Sequence, residues 1–368
     1  MPIIFHIDLD AFFASCEKAR RPELADRPVV VCVYSGRGKD SGAVSAASYD
    51  AREYGIHAGM PIRQARSIAA ETDEDVAFIG ADKEYYTTVS NRIHEILAAA
   101  ADDTEQASVD EAYADMSGID GYDAARDRAA SLQAEIEEAE DVTASIGVGP
   151  NKLVAKIASD RDKPEGITVV RPPRVEEFLA PLPVDELHGV GPKTAETLAE
   201  MEVSTVAELR EVARPRLVEA FGNKKGVSLY RKARGQGATE LEEQEPEQLS
   251  RLTTLQEDTR DLDVIDPVLQ ELATAVMERV EERGWRYSTV SALVVTAELD
   301  MRTRSTSFKT SQDSAETLYE TARELLQDFL GEHPDTAVRR VGVRASGFEK
   351  GGQETLDSSR FTAGTGGS

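Results

Sequence analysis

Two short carboxylate clusters, one near residue 8 and one near residue 110, carry the chemistry most readily read from this chain. The first is Ile4-Phe5-His6-Ile7-Asp8-Leu9-Asp10-Ala11-Phe12-Phe13, and the second is Ala107-Ser108-Val109-Asp110-Glu111-Ala112-Tyr113. Each reads as a β-strand with acids at its end, which puts several anionic groups in half-buried positions. An unpaired buried carboxylate costs several kcal/mol or shifts its pKa. Bound cations remove that cost, and hard oxygen ligands completed by substrate phosphates describe a Mg²⁺ site. Two such ions describe in-line phosphoryl or nucleotidyl transfer. The candidate ligands are Asp8, Asp110 and Glu111. Neighbours in a regular strand point to opposite faces, so Asp110 and Glu111 share a cluster only at a bend or turn. Asp10 and Asp115 are expected to be supporting or solvated acids.

The elements that must position these groups follow from periodicity. Residues 2–10 alternate, with Ile3, Phe5, Ile7 and Leu9 on one face and His6, Asp8 and Asp10 on the other. Phe12 to Ala19 reads as a helix, residues 28–33 as a buried strand, and Ala43 to Ala47 as a small-residue strand after a glycine-rich loop. Helices are expected around Tyr49–Tyr54, Pro61–Ala70, Glu84–Ala101, Tyr122–Glu138 and Asn151–Ser159, with a strand over 142–148. This rhythm fits an α+β sheet covered by helices on one face. Residues 175–233 read as short helices broken by glycine, and residues 234–247 have the polar, acidic look of an interdomain linker.

Beyond the linker lies a unit alternating strand and helix. Its first helix is expected to start with Asp266 as N-cap and Pro267 in the first turn, and its second to stop at Gly331. Strands are expected at Val290–Leu299 and Ala337–Ser346. In the latter, Val341 and Val343 face one way and Arg340 and Arg344 the other. Arg302, Arg304 and Lys309 are expected to extend that surface, a candidate DNA track in an otherwise acidic protein. The glycine- and serine-rich residues 349–368 are expected to be disordered in isolation.

Bulk composition narrows the classes further. The 368 residues suffice for several domains. No run of eighteen apolar residues occurs, and the N-terminus opens into a strand rather than a signal peptide. Cys16 and Cys32 make no disulfide framework. The expectation is a soluble, cytoplasmic monomer with no membrane partner. The net charge of −26 opposes any binding driven by bulk phosphate neutralisation. The acids, however, are spread along the chain, and arginine outnumbers lysine. That suits a protein kept soluble in concentrated salt, where the Debye length falls to roughly 3 Å at 1 M and short-range contacts decide binding. A halophilic source is expected.

Leu187-His-Gly-Val-Gly-Pro-Lys-Thr-Ala-Glu-Thr-Leu198 reads as a helix-hairpin-helix. Gly189 and Gly191 let backbone N–H groups approach a phosphate, Pro192 starts the second helix, and Lys193 adds charge. Phe221-Gly-Asn-Lys-Lys-Gly226 resembles a weaker second copy.

Taken together, the segments His6 to Glu17, Pro28 to Val31, Gly42 to Arg52, Ala107 to Tyr113, and Ser145 to Lys152 through Lys163-Pro164 resemble the Y-family DNA polymerases of the archaeal DNA polymerase IV type. They occur in that family's order and spacing, within a similarity that spans residues 1 to about 345. The resemblance implies an α+β multidomain protein, a right-hand-like polymerase. Its parts would be a palm (1–10 and 78–166), fingers (11–77), a helical thumb (167–233), a linker (234–247), an α/β little finger (248–348) and a tail (349–368).

It implies two Mg²⁺ ions on Asp8, Asp110, Glu111 and the carbonyl of Leu9. The incoming deoxynucleoside triphosphate would lie at the start of the Phe12 helix, with Tyr49, Arg52 and Lys163 on its phosphates. Phe13 occupies the steric-gate position against a 2′-hydroxyl. Ala43, Ser45 and Gly59 would roof the nascent pair, leaving space for damaged template bases. Low-fidelity translesion synthesis on primed template DNA, without proofreading, is the implied activity. In the tail, Gln353, Leu356 and Phe361 resemble a sliding-clamp-binding peptide that lacks its aromatic pair. Two other readings stand beside this one: a different two-metal enzyme such as a nucleotide cyclase, and a catalytically silent DNA-binding scaffold.

Overall fold

The computed structural model describes residues 1–242 and 245–350, so Gln353, Leu356 and Phe361 lie outside the described residues. The chain divides into two units: Met1–Tyr34 with residues 40–243, and Ser35–Lys39 with the chain beyond.

The first unit opens with β1 (Ile4–Leu9), α1 (Phe12–Arg20), β2 (Val29–Tyr34), β3 (Gly42–Ala47), α2 (Tyr49–Glu53), α3 (Ile62–Ala69) and β4 (Ala77–Gly80). It continues through α4 (Lys83–Ala100), β5 (Asp103–Gln106), β6 (Glu111–Asp115), α5 (Gly121–Glu140), β7 (Ala144–Gly149), α6 (Lys152–Ser159) and β8 (Ile167–Val169). The helices α7 (Val175–Leu179), α8 (Pro192–Glu200), α9 (Val206–Glu211) and α10 (Arg214–Lys232) complete it.

Five strands form the central sheet in the order β5-β6-β1-β7-β8, so both acidic segments lie side by side at its centre. The alternation in β1 sends Phe5, Ile7 and Leu9 into a core shared with Val89, Ile93 and Leu97 of α4 and Leu132 and Ile136 of α5. The other face is covered as well, by α6, which corrects the one-sided sheet expected from the sequence. Ile4 packs there with Ala155, and β7 is buried along its whole length. The physical reason is Gly147: a Cβ built there would lie 2.0 Å from the Ala155 carbonyl oxygen and 2.3 Å from the Ser159 nitrogen. With no side chain at that point, helix and sheet backbones touch. Asn151 caps α6 by accepting from Val154 N.

The start of the expected linker is docked on this unit. Asn151 Nδ2 donates to the Gly235 carbonyl, Lys152 N to that of Ala238, and Glu242 N to Glu105 Oε2. Leu241 packs beside Ile4, Tyr113 and Ala155. A smaller sheet, β3-β2-β4, carries the segment between α1 and α4.

The second unit contains β9 (Gln248–Thr259), α11 (Leu262–Glu281), β10 (Trp285–Thr296), β11 (Met301–Gln312), α12 (Ala315–Glu332) and β12 (Val338–Lys350), with sheet order β11-β10-β12-β9. Two helix boundaries differ from expectation. α11 begins earlier, capped by Asp261, and carries Pro267 inside. Asp266 instead takes an ion pair from Arg323. α12 runs through Gly331 because Phe329 and Leu330 still belong to the core.

Register also corrects the arginine surface. Arg304 lies opposite Ala292, which lies opposite Val343, so Arg302 and Arg304 share the helix-packed face; Arg304 pairs there with Glu332 of α12. Arg340 and Arg344 occupy the other face, opposite Val295 and Ser291. Lys309, next to the core-packed Phe308, alternates onto that second face. Alternation within one strand cannot reveal which face its neighbour shares.

Gly147→Ala should lower the stability of the first unit by about 1–3 kcal/mol through overpacking. Urea denaturation reads this as a lower midpoint, and an unchanged midpoint would show that α6 can retreat without loss.

Candidate active site

The strand pairing brings the two acidic segments into one place. Asp8 on β1 is the direct register partner of Glu111 on β6, so their side chains leave the sheet on the same face, close together. Asp110 precedes β6 in a turn held by Leu9 N donating to the Asp110 carbonyl and by Ser108 Oγ donating to Asp110 Oδ1. The break in strand geometry expected between Asp110 and Glu111 is therefore present.

Lysines hold the carboxylates. Lys163 Nζ lies 2.7 Å from Asp8 Oδ2 and 2.8 Å from Asp160 Oδ1. Lys156 of α6 forms an ion pair with Glu111 Oε2. Burial pushes the Asp8 carboxyl up to about 6, against the pull of Lys163. The close approach of the His6 imidazole and the ion pair with Lys156 hold Glu111 down at about 2. Among the described residues no three acidic, imidazole or thiol groups are arranged as a ready metal site. The donor set still fits a hard divalent ion: carboxylate oxygens alone, on adjacent strands, whose charge ammonium groups now balance.

Asp10 is not solvated but buried behind the carboxylate pair. It is 2% exposed and accepts from four donors: Tyr49 Oη (3.2 Å), Ser145 Oγ (2.8 Å), Thr143 Oγ1 (3.2 Å) and Glu165 N (2.9 Å). It thus ties α2 to β7 and to the loop that carries Lys163. Arg52 stacks over the Tyr49 ring and donates to the Ala47 carbonyl.

Ala11 enters α1 in left-handed geometry. Phe12 is buried in the core, so only its backbone can meet a ligand. Phe13 is partly buried and stacks on Tyr86, with ring centroids 4.4 Å apart and planes 16° from parallel. Tyr86 is locked by its hydroxyl to the fully buried Glu17, which Arg20 neutralises. Ala43 and Ser45 flank the buried Val44, whose carbonyl accepts from Gly59 N, so the three small residues are neighbours.

Farther along, Gly189 has φ +88°, which a side chain would oppose, and Gly191 caps α8. Lys193 is exposed. Gly222, at φ 77°, breaks α10 into two helices, as the second hairpin copy requires. Lys225 beside it donates to Thr194 in the first copy. Alternation puts His6 on the Asp8 face of β1, but local spacing does not mark it, Lys156, Ser159 or Tyr86 as neighbours of Glu111 or Phe13.

A carboxylate-bearing, mostly antiparallel sheet, a glycine-hairpin helical region and a C-terminal α/β unit define a polymerase of the right-hand class. Residues 7–160 match the impB/mucB/samB family, residues 185–237 the thumb domain of DNA polymerase iota, and residues 246–358 the C-terminal domain of the impB/mucB/samB family. The chain is 42% identical to DNA polymerase IV of Methanosarcina acetivorans over 95% of its length and 96% of the relative's. It is 36% identical to DNA polymerase IV of Halobacterium salinarum, over 96% of this chain and 87% of that one. Among solved structures, the Y-family polymerase chimera Dbh-Dpo4(243-245)-Dbh superposes with a TM-score of 0.88 at 34% identity, covering 94% of this chain and 98% of the other. An insertion ternary complex of Dbh DNA polymerase gives 0.67 at 34% identity with the same coverage. The chain belongs to the Y-family DNA polymerases, in the DNA polymerase IV group. No helix among the described residues is long and apolar enough to cross a membrane.

The raised Asp8 pKa sets a pH dependence. Its contribution to stability is present below the unfolded value of 3.8 and is lost as pH rises through about 6. In metal-free protein, Asp8→Asn should therefore gain on wild type by about 2–3 kcal/mol between pH 4 and 7. Paired urea titrations across that range test this, and a pH-independent difference would refute it.

Proposed function

We propose that this chain is a template-directed DNA polymerase that copies damaged DNA, without a proofreading activity of its own. The observation that carries the reading is the register pairing of Asp8 with Glu111 beside the Asp110 turn. That pairing sits within family similarity that runs nearly the whole chain. Such similarity disfavours a cyclase, which needs no hairpin region or arginine sheet. The intact carboxylates disfavour a silent scaffold.

In this reading Asp8, Asp110, Glu111 and the Leu9 carbonyl hold two Mg²⁺ ions. Held by these groups, such ions would lower the pKa of a primer 3′-hydroxyl and balance the charge of the triphosphate and its leaving pyrophosphate. The protein's own groups do the rest. Lys163, now on Asp8, is free to turn to phosphate once a stronger cation takes its place. Tyr49, positioned by Asp10, and Arg52 supply further donors to the β- and γ-phosphates. Phe13, backed by Tyr86, forms a rigid wall beneath the sugar, where a 2′-hydroxyl has no room. Ala43, Ser45 and Gly59 leave the nascent pair loosely roofed, so shape is checked weakly.

Gly189, Gly191 and Lys193 meet backbone phosphate without reading sequence. Arg340 and Arg344 lie along the duplex, while Arg302 and Arg304, on the opposite face of their sheet, are no longer candidates for that track. The domain limits expected from the sequence (palm, fingers, thumb and little finger) go with this reading, as do monomeric action and docking of the tail on a sliding clamp.

Primer extension with Mg²⁺, in low and in molar salt, should be abolished by Asp110→Ala while primed-DNA binding persists; no extension by the wild-type chain in either condition would overturn the polymerase reading. Phe13→Ala should admit ribonucleotides at least tenfold more readily, measured as the ratio of kcat/KM for rNTP and dNTP, a loss of about 1.4 kcal/mol of discrimination. Deletion of residues 353–368 should remove stimulation by a sliding clamp and leave basal synthesis intact. Equal stimulation of both forms would exclude the tail as the docking segment.

A further inference from the structure

His6 is fully buried on β1, between Ser159 of α6 and Glu111 of β6. Its Nδ1 lies 2.8 Å from Ser159 Oγ, and its Nε2 lies 3.5 Å from Glu111 Oε2. Nε2 has no hydrogen-bond partner in this geometry, although it is inaccessible to solvent. The Tyr113 ring, 4.7 Å away, holds the imidazole plane. A buried, unpartnered ring nitrogen aimed at a carboxylate of the active site calls for a reason.

Ser159 Oγ also lies 2.8 Å from the carbonyl oxygen of Lys156. One hydroxyl proton can serve only one acceptor. Given to Lys156, it leaves the ring proton on Nδ1 and turns the Nε2 lone pair toward a carboxylate, which is repulsive. Given to His6 Nδ1, it places the ring proton on Nε2, facing Glu111. Lys156 holds the same oxygen, Oε2. The two partners therefore converge on one oxygen of Glu111 and leave Oε1 for another ligand.

We propose that His6 is a positioning residue for Glu111: its Nε2–H, in the tautomer selected by Ser159, secures Oε2 so that Oε1 is presented to the metal. His6 and Lys156 would together anchor Oε2 from behind while Oε1 is left to face the ion. The proposal rests on the reading of Glu111 as a metal ligand, which the test addresses separately. Groups that orient a ligating carboxylate from behind are worth roughly 10–100-fold in metal affinity.

The measurement is Mn²⁺ binding to the full chain on a dideoxy-terminated primer–template with the matching triphosphate. It is read by EPR as loss of free-ion signal against a no-protein control. His6→Gln keeps an N–H at the reach of Nε2, His6→Asn keeps one at the reach of Nδ1, and His6→Phe keeps neither. Asn and Phe should weaken Mn²⁺ binding about 10–100-fold, whereas Gln should stay within about threefold of wild type. A merely structural role would make Gln and Asn equivalent, and that result overturns the proposal, as does wild-type binding by Phe. Where Phe fails to fold, the Gln–Asn comparison decides alone. Glu111→Gln serves as the control: undiminished Mn²⁺ binding there would remove Glu111 from the ligand set and refute the active-site reading itself, whatever the His6 variants do.

Discussion

The pairing of Asp8 with Glu111 across two central strands is the constraint around which the first unit is built. Two carboxylates side by side on a covered sheet face repel each other and lose hydration. Burial raises Asp8, while His6 and Lys156, lying against Glu111, hold that carboxyl low. Lys163 and Lys156 supply the opposing charge, and both come from the stretch that starts at α6. The position of α6 is thus an electrostatic requirement as much as a packing one. Gly147 lets that helix approach closely enough to meet it.

A second layer of polar groups sets the geometry around this pair. Asp10 has its oxygens fully used by Tyr49, Ser145, Thr143 and Glu165. A carboxylate so satisfied cannot also serve a metal without losing neutral donors it has already gathered. The same principle operates under Phe13, where Glu17 and Arg20 fix Tyr86, and Tyr86 fixes the phenylalanine ring. The groups proposed to face the substrate rest on buried charges, Asp10 under Tyr49 and Glu17 under Tyr86 and Phe13. That arrangement trades intrinsic stability for a rigid site.

The acidic surface and the local basic features are compatible for a similar reason. A net charge of −26 acts at long range, where salt screens it. The groups proposed to meet DNA act at contact distance. Gly189 and Gly191 offer backbone N–H groups, which carry no net charge to be screened. Arg340 and Arg344 share one sheet face because β12 alternates, and the helices α11 and α12 fill the other.

Much of this was legible in residue order. Alternation in β1, the acid pair that demanded a turn at Asp110, and the glycine hairpins at 189–191 and 222 are short-range facts, and local sterics enforce them wherever they occur. The helix start at Asp261 was missed because Asp266-Pro267 imitates a cap, and only packing distinguishes the two. Arg302 and Arg304 were assigned to the wrong face because strand register is set between strands. Alternation placed His6 on the carboxylate face, but its partner Ser159, with Lys156 and Tyr86, became visible only once α6 and α4 were laid on the sheet. Sequence alone determined which groups could hold a metal and turn a phosphate, since that follows from residue type and short-range spacing. Tertiary structure alone decided which of them are partnered, by what, and on which face, because those contacts join residues scores of positions apart and depend on register and close helix–sheet packing.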